Sequence, residues 1–157
     1  MRLSWLIALL LTTYFFQQWI DYKRNPNQYI NLQYNQPVVL KQNSRGHYIA
    51  NGRINNQPVL FLLDTGATDV VIPEALAAGL SLSRLGKTQV STANGVITVY
   101  PTLLNSISLG GISAANIEAV INPYMDHSTI LLGMSFLKHL SLVQHNGVLT
   151  INPTNNK

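Results

Sequence analysis

The chain contains no cysteine among its 157 residues. Disulfide bonds, thiolate metal sites and a cysteine nucleophile are therefore excluded. Only 10% of the residues are charged, and the ten basic residues are scattered without forming a run or a stripe. This distribution is not that of a nucleic-acid-binding protein, and the sequence predicts no nucleic-acid partner. The four histidines match no zinc signature, so no metal or cofactor is predicted; they are His47, His127, His139 and His145.

Acidic residues are few, six in all, and one of them stands in an unexpected place. Asp64 directly follows Val59–Leu63, a run of five apolar residues that predicts a buried strand. A carboxylate at the end of such a strand is costly unless it is paired, hydrogen-bonded or protonated. Because Thr65, Gly66 and Ala67 come next, the chain is expected to turn sharply where the acid emerges. A costly acid beside a tight turn indicates chemistry rather than packing.

The long apolar run of the chain lies at its N-terminus. Leu3–Ile20 is just long enough for a membrane span, although threonine and glutamine weaken its second half. We predict an uncleaved anchor over residues 1–20, with the following domain on the outer side of the membrane. A cleaved signal peptide is a competing interpretation, but bulky Tyr14, Phe15 and Phe16 stand where a small-residue cleavage site is needed. An amphipathic helix packed on the domain is a third.

The rest of the chain divides into an arm, a domain and a tail. Residues 21–43, rich in asparagine and glutamine, predict a linker or loose arm that includes a short edge strand over Pro37–Leu40. Residues 44–153 form the predicted domain and 154–157 the tail. Short apolar runs alternate with turn signals in the domain, at Asn51-Gly52, Asn94-Gly95, Gly110-Gly111 and Asn146-Gly147. Short helices are predicted only at Pro73–Leu80 and Gly133–His139, so we expect a small all-β barrel or sandwich.

Three motifs, in this order, resemble those of retropepsin-like aspartic proteases. Leu62–Ile72, which contains Asp64-Thr65-Gly66-Ala67, is similar to the active-site loop of that family. Thr92–Gly95 falls where the family has its flap hairpin. Ile130–Leu137 resembles the strand that ends in glycine, crosses behind the catalytic loop and runs into a short helix. The N-terminal segment agrees with the membrane-anchored, single-domain members from proteobacteria, which implies an anchor in the inner membrane and a domain on the periplasmic side. The resemblance implies a closed β-barrel and endopeptidase activity on a protein or peptide substrate.

Hydrolysis by carboxyl groups needs two of them at one water molecule. Two carboxyls held about 3 Å apart cannot both ionise, so they share a proton. One deprotonates the water while the other polarises the carbonyl. The chain has one Asp-Thr-Gly and no second Asp-Thr-Gly or Asp-Ser-Gly; the nearest miss is Asp126-His127-Ser128. We therefore predict an isologous homodimer in which Asp64 of each copy forms the catalytic pair.

The resemblance also implies roles for the residues that follow Asp64. Thr65 would hydrogen-bond across the two-fold axis and lock the two loops together. Gly66 would permit the turn and offer its carbonyl to a substrate amide. Ala67 would line the wall of the substrate pocket.

Further substrate contacts are implied beyond this turn. Asp69 aligns with an acid that binds the substrate main chain, and a helix or turn cap is an equally good interpretation of it. Thr68 departs from the pattern, because retroviral members carry another acid there. Asn94 and Gly95 would form the tip of the flap that closes over the peptide and excludes water.

Two other functions fit the same sequence. The first is a catalytically silent, retropepsin-like module that binds peptides or supports assembly at the membrane. It would bind peptide as a dimer without turning it over. The second is an anchored envelope protein with a structural role alone, which would remain a folded monomer at every concentration.

Overall fold

The computed structural model describes residues 2–92, 95–126 and 128–154. Strands outnumber helices among the described elements, and two of the three helices are a single turn long. In chain order the elements are α1 (Arg2–Arg24), β1 (Val38–Lys41), β2 (Ile49–Ile54), β3 (Gln57–Leu63), β4 (Val70–Pro73), α2 (Glu74–Ala77), β5 (Thr88–Thr92), β6 (Gly95–Leu109), β7 (Ile112–Asn122), β8 (Thr129–Leu132), α3 (Met134–Leu137), β9 (Leu140–His145) and β10 (Val148–Pro153).

Six strands form a closed barrel. They follow the order β2-β3-β8-β4-β7-β6, and β6 pairs back onto β2 through Arg53–Ser108 and Ile54–Ile107. Closure leaves the apolar side chains of alternate positions inside the barrel, where they form one core. The largest fully buried members of that core include Phe61, Ile72, Leu104, Ile107, Ile130 and Leu132. The predicted all-β closed barrel is therefore confirmed.

A second, smaller sheet lies beside the barrel. Its three strands follow the order β1-β10-β9, and all of its pairings are antiparallel. The predicted short edge strand is confirmed as β1, with Val38 and Leu40 buried in the same core as the barrel residues.

Among the predicted turns whose residues are all described, all but one form. Asn146-Gly147 joins β9 to β10, with φ of 47° and 74° that asparagine and glycine tolerate. The prediction of a turn at Asn51-Gly52 was wrong. Strand β2 continues through these two residues, and the chain reverses at Asn55-Asn56. At Gly52 the barrel is crowded instead: a Cβ there would lie 2.4 Å from the Phe61 ring. Glycine is needed at that point for close packing, not for a turn.

The N-terminal segment forms one helix, and its apolar side chains are exposed. α1 extends to Arg24, four residues beyond the predicted anchor of residues 1–20. Within the described residues, no helix combines the length and the apolar character that a membrane span requires. The predicted transmembrane helix is therefore not borne out, since Thr12, Thr13, Gln17 and Gln18 lower the hydropathy of its second half. The inner-membrane location remains a prediction.

The segment after α1 is attached to the barrel through buried asparagines, of which Asn27 makes the most contacts. Asn27 forms an isolated parallel bridge with Ala50, and its side-chain amide donates to the carbonyls of Lys41 at 2.9 Å and Ile49 at 2.7 Å. Its Oδ1 accepts the backbone N–H of Lys41 at 2.7 Å. Three hydrogen bonds from a buried side chain fix the arm against β1 and β2. The division into anchor, arm, domain and tail remains a prediction.

Candidate active site

Asp64 emerges from the end of β3, in the middle of the barrel sheet. β3 runs parallel to β8, and the Asp64 backbone N–H donates to the Leu132 carbonyl at 3.2 Å. The side chain is half-buried, and its Oδ1 accepts the Gly66 N–H at 2.9 Å. The Ala67 N–H donates to the Asp64 carbonyl at 3.3 Å, which closes the turn. The carboxylate is thus oriented by its own loop, as an aspartate at a tight turn commonly is.

The segment after β8 supports the loop from behind. Met134 N–H donates to the Ala67 carbonyl, and Ser135 N–H donates to the Thr68 carbonyl, each at 2.8 Å. Gly133 precedes these residues, and a Cβ on it would lie 2.0 Å from the Asp69 carbonyl oxygen. The strand-glycine-helix segment expected behind the loop is therefore present, and glycine is the residue that permits the approach.

The loop forms one side of a cavity of about 420 Å³. Two carboxylates, Asp64 and Asp69, are among the residues lining it. Of the described cavities, the two larger ones, at about 560 and 610 Å³, are lined by no acidic residue. The remaining walls are mainly apolar and come from β4, β8, the β5–β6 hairpin and β7, through Val71, Leu131, Val90, Ile97, Val99 and Val120. A mostly apolar cavity with few polar groups is the usual form of a ligand site.

Asp69 differs electrostatically from an ordinary surface aspartate. Burial raises the pKa of Asp69, because the charged carboxylate loses water. The negative charge of Glu118 raises this pKa further, while the positive charge of Lys138 lowers it. Among the described residues, no group of histidine, aspartate and glutamate side chains could hold a metal ion.

Known proteins share this fold and this sequence pattern. The family model described as "gag-polyprotein putative aspartyl protease" matches residues 50–139, which include the Asp64 loop and the segment behind it. The crystal structure of a retropepsin-like aspartic protease from Rickettsia conorii superposes with a TM-score of 0.66 at 30% identity. The alignment covers 75% of this chain and 91% of that one. The chain belongs to the retropepsin-like aspartic protease family.

Two curated bacterial proteins match this chain over part of their length. An uncharacterized protein from the cobV 5′ region of Sinorhizobium sp is 34% identical over 112 residues, which are 69% of this chain and 48% of that protein. An uncharacterized protein of Rickettsia prowazekii (strain Madrid E) is 33% identical over 105 residues, which are 64% of this chain and 44% of that protein. This retropepsin-like chain therefore spans about half the length of the curated relatives it matches.

The structure brings most of the predicted site residues of this retropepsin-like domain together. Asp64, Gly66, Ala67 and Asp69 all line the cavity. Thr65 lies in the same loop and is exposed. Their catalytic and substrate-binding roles remain predictions.

The predicted flap forms the β5–β6 hairpin. Thr92 pairs with Gly95, whose φ is 111°, and the Thr92 hydroxyl donates to the Gly95 carbonyl at 2.8 Å. Asn94, the other predicted tip residue, lies outside the described residues. Because Val90 and Ile97 of this hairpin line the cavity, the hairpin stands where a cover for the site would be.

Two residues of the site were missed by the sequence analysis. The buried Ser135 hydroxyl accepts the Val70 N–H at 3.0 Å and so connects α3 to the end of the Asp64 loop. Asn122 is buried, lines the cavity and accepts the Tyr124 N–H at 2.9 Å through Oδ1. In the sequence, Ser135 looks like an ordinary helix residue and Asn122 like an ordinary strand end. No local pattern could therefore have identified them as residues of the site.

Proposed function

We propose that this chain is an aspartic endopeptidase that hydrolyses peptide bonds as a homodimer. One observation carries the proposal: Asp64 of the Asp-Thr-Gly turn lines an apolar cavity beneath a β-hairpin, in a loop fixed by hydrogen bonds from both sides. Such a loop supplies an oriented carboxylate next to a space that could hold an extended peptide. Family membership supports the same chemistry.

The reaction requires a second carboxyl group, and we assign it to Asp64 of a second copy. The sequence offers no other Asp-Thr-Gly or Asp-Ser-Gly. The exposure of Thr65 and Gly66 supports this assignment, because the two loops must touch at the two-fold axis. One carboxylate would accept a proton from the attacking water, and its protonated partner would donate a hydrogen bond to the scissile carbonyl.

The remaining residues of the cavity would position the peptide. The apolar walls from β4, β8 and the hairpin would accept apolar side chains of the substrate, and Asp69 would accept a hydrogen bond from its main chain. The β5–β6 hairpin would close over the peptide and exclude bulk water, which strengthens the electrostatic interactions at the reacting carbonyl.

A peptide-library assay with an active-site variant tests the proposal. The full chain should cleave a subset of peptides, and Asp64→Asn should lose this cleavage, because the variant cannot take up a proton from water. Asp126→Asn is the matched control, since Asp126 is exposed and does not line the cavity. Equal cleavage by the Asp64→Asn and unsubstituted chains would reject the proposal. Binding of peptide by a dimer that never cleaves would favour the silent module instead.

Mixing the unsubstituted chain with the Asp64→Asn chain tests separately whether two copies share one catalytic pair of aspartates. If each site needs Asp64 from both copies, an equal mixture after subunit exchange should keep about one quarter of the activity, because random pairing leaves that share of intact dimers. If each copy acts alone, about one half should remain. The second result would overturn the homodimeric dyad while leaving Asp64 itself catalytic.

A further inference from the structure

The helix α1 exposes an apolar surface on all of its sides. The described side chains from Trp5 to Ile20 include Leu9, Leu10 and Leu11, which are 62%, 68% and 52% exposed. Consecutive residues of an α-helix point about 100° apart, so these three leucines alone face three directions. An exposed apolar surface of this extent marks an interaction site rather than an ordinary solvated helix.

A basic cleft lies where this helix meets the barrel. The cleft has a volume of about 610 Å³ and is lined by Lys23 and Arg24 from α1 and by Arg45 and His47 from the loop before β2. No acidic residue lines it. Trp19 of α1 also lines it, so aromatic and cationic side chains stand together at the boundary between the apolar helix and the domain.

The loop that supplies Arg45 is attached to the last turn of α1. Asn43 Nδ2 donates to the Arg24 carbonyl at 3.2 Å, and the Ser44 N–H donates to the Lys23 carbonyl at 3.3 Å. Asn43 Oδ1 in turn accepts the N–H groups of Arg45 and His47, each at 2.9 Å. The cations of the cleft thus come from two chain segments that hydrogen bonds connect.

The positive charges of the cleft lack carboxylate partners in the described part of the chain. The ion pair within the described residues joins Arg84 to Glu74, neither of which lines the cleft. Lys23 Nζ lies 4.6 Å from the centre of the Trp19 ring, which attracts the cation but leaves its charge unneutralised. Asp21 is the acidic residue of α1 and accepts a hydrogen bond from Gln17 at 3.1 Å.

The helix dipole accounts for only part of this arrangement. Basic residues in the last turn of a helix are favoured by the partial negative charge at its C-terminus, which explains Lys23 and Arg24. It does not explain Arg45, which belongs to a separate loop and adds a third cation. A cluster of three cations in a cleft without acids indicates an anionic ligand.

We propose that the basic cleft binds the phosphate of an anionic phospholipid, while the exposed apolar surface of α1 contacts the adjoining bilayer. The position of the cleft favours a lipid over a free phosphate, because the cleft lies at the end of the apolar helix. Trp19 and Tyr22, 53% and 57% exposed, stand at that boundary, where amphipathic aromatic rings sit in membrane interfaces. The proposal requires contact with the bilayer surface and does not require α1 to span it.

Vesicle binding by the full chain tests the proposal without any need for protease activity. Vesicles of phosphatidylcholine with phosphatidylglycerol should bind the chain more tightly than vesicles of phosphatidylcholine alone, and added salt should reduce the difference. Each basic residue near an anionic surface contributes about fivefold to binding. Lys23→Gln with Arg45→Gln should therefore weaken binding to the anionic vesicles by about 25-fold, and Arg45→Lys should retain most of it.

The matched control is Arg53→Gln with Lys87→Gln, which removes the same charge from two exposed residues that do not line the cleft. This control should bind anionic vesicles nearly as well as the unsubstituted chain.

Equal losses of binding in the two double variants would show that net charge alone causes the effect, and would overturn the proposal. Equal binding to both kinds of vesicle would also overturn it, because α1 alone would then account for attachment. If inorganic phosphate displaced the chain from anionic vesicles as readily as added anionic vesicles do, the ligand would be free phosphate and the lipid proposal would be overturned. Circular dichroism spectra confirm that each variant is folded.

Discussion

The two sides of the active-site cavity are held in very different ways. The loop at residues 64–69 receives hydrogen bonds from its own turn and from the segment behind it, through Met134 and Ser135. The β5–β6 hairpin on the opposite side is attached along one edge, since the described β5 pairs with β6 and with no other strand. Several of its residues are exposed, including Ser91 and Val96.

This contrast fits the tasks that the two sides would perform. A small displacement of a catalytic carboxylate from the reacting atoms lowers the reaction rate strongly. Such a carboxylate therefore needs a fixed support. A cover must open for each substrate and therefore comes from a region of low local stability. One cavity thus combines a rigid side, held by hydrogen bonds, with a side attached along one edge, and four predictions test the difference between them.

The largest effect is expected at Gly133, directly behind the loop. Gly133→Ala would place a Cβ 2.0 Å from the Asp69 carbonyl and 2.8 Å from the Ala67 carbonyl, both of which are backbone atoms that cannot move aside easily. We expect the free energy of unfolding to fall by about 3 kcal/mol and peptide cleavage to be lost. Urea denaturation and the peptide assay measure the two effects.

Gly79→Ala is the control for this change. A Cβ at Gly79 would have its nearest neighbour at 3.7 Å, an ordinary contact, so the variant should remain within about 1 kcal/mol of the unsubstituted chain. If Gly133→Ala were as stable and as active as Gly79→Ala, the loop would not be rigidly supported and the contrast with the hairpin would disappear.

The next effect concerns Ser135, which connects α3 to the end of the loop. Ser135→Ala removes the acceptor of the buried Val70 N–H and leaves that donor without a partner. We expect a loss of about 2 kcal/mol in the free energy of unfolding. Ser141→Ala, an exposed serine of β9, should change stability little. Equal melting temperatures for the two variants would show that the Ser135 hydroxyl is dispensable.

A substitution in the hairpin should lower substrate cleavage more than it lowers the stability of the fold. Ile97 lines the cavity, whereas its neighbour Val96 points to the other face of β6 and is 65% exposed. Ile97→Ala should lower kcat/KM for an apolar peptide about tenfold and reduce the free energy of unfolding by only about 1 kcal/mol. Val96→Ala should leave both nearly unchanged. If the two variants had equal kcat/KM, the hairpin would not cover the substrate.

The sequence was sufficient to predict the rigid side of this cavity. Asp64 follows an apolar run and precedes a glycine turn, and both are local patterns. The segment behind the loop, with Gly133, was identified by its resemblance to the motif of the family, because its contact with Asp69 joins residues distant in the chain. Hydrophobic alternation predicted an all-β barrel or sandwich, because it determines which face of each strand is buried. Closure of the barrel was implied by the resemblance to the family. The turn after Asp64 and the alternation along the strands depend on residues close in sequence, so the sequence alone predicts them.

Features that depend on distant neighbours could not be predicted. Asn51-Gly52 looks like a hairpin turn, but Gly52 is required because Phe61 and Ser108 crowd it from two other strands. Asn27 lies in a polar segment expected to be loose, yet its amide is buried against β1 and β2. The partner groups of both residues come together only when the barrel closes, and no local pattern encodes that.

The smallest effect concerns Asp69, at the far end of the rigid loop. Burial and Glu118 raise the pKa of Asp69, so Glu118→Gln should lower it and Lys138→Gln should raise it further, as followed by NMR titration of the carboxyl. Because the folded protein then binds a proton that the unfolded chain has released, stability should fall as pH rises from the unfolded pKa through the folded one. Asp69→Asn should remove this dependence. A titration midpoint that does not respond to Glu118→Gln would show that Glu118 does not contribute to the raised pKa of Asp69, and would contradict the electrostatic contact between this end of the loop and β7.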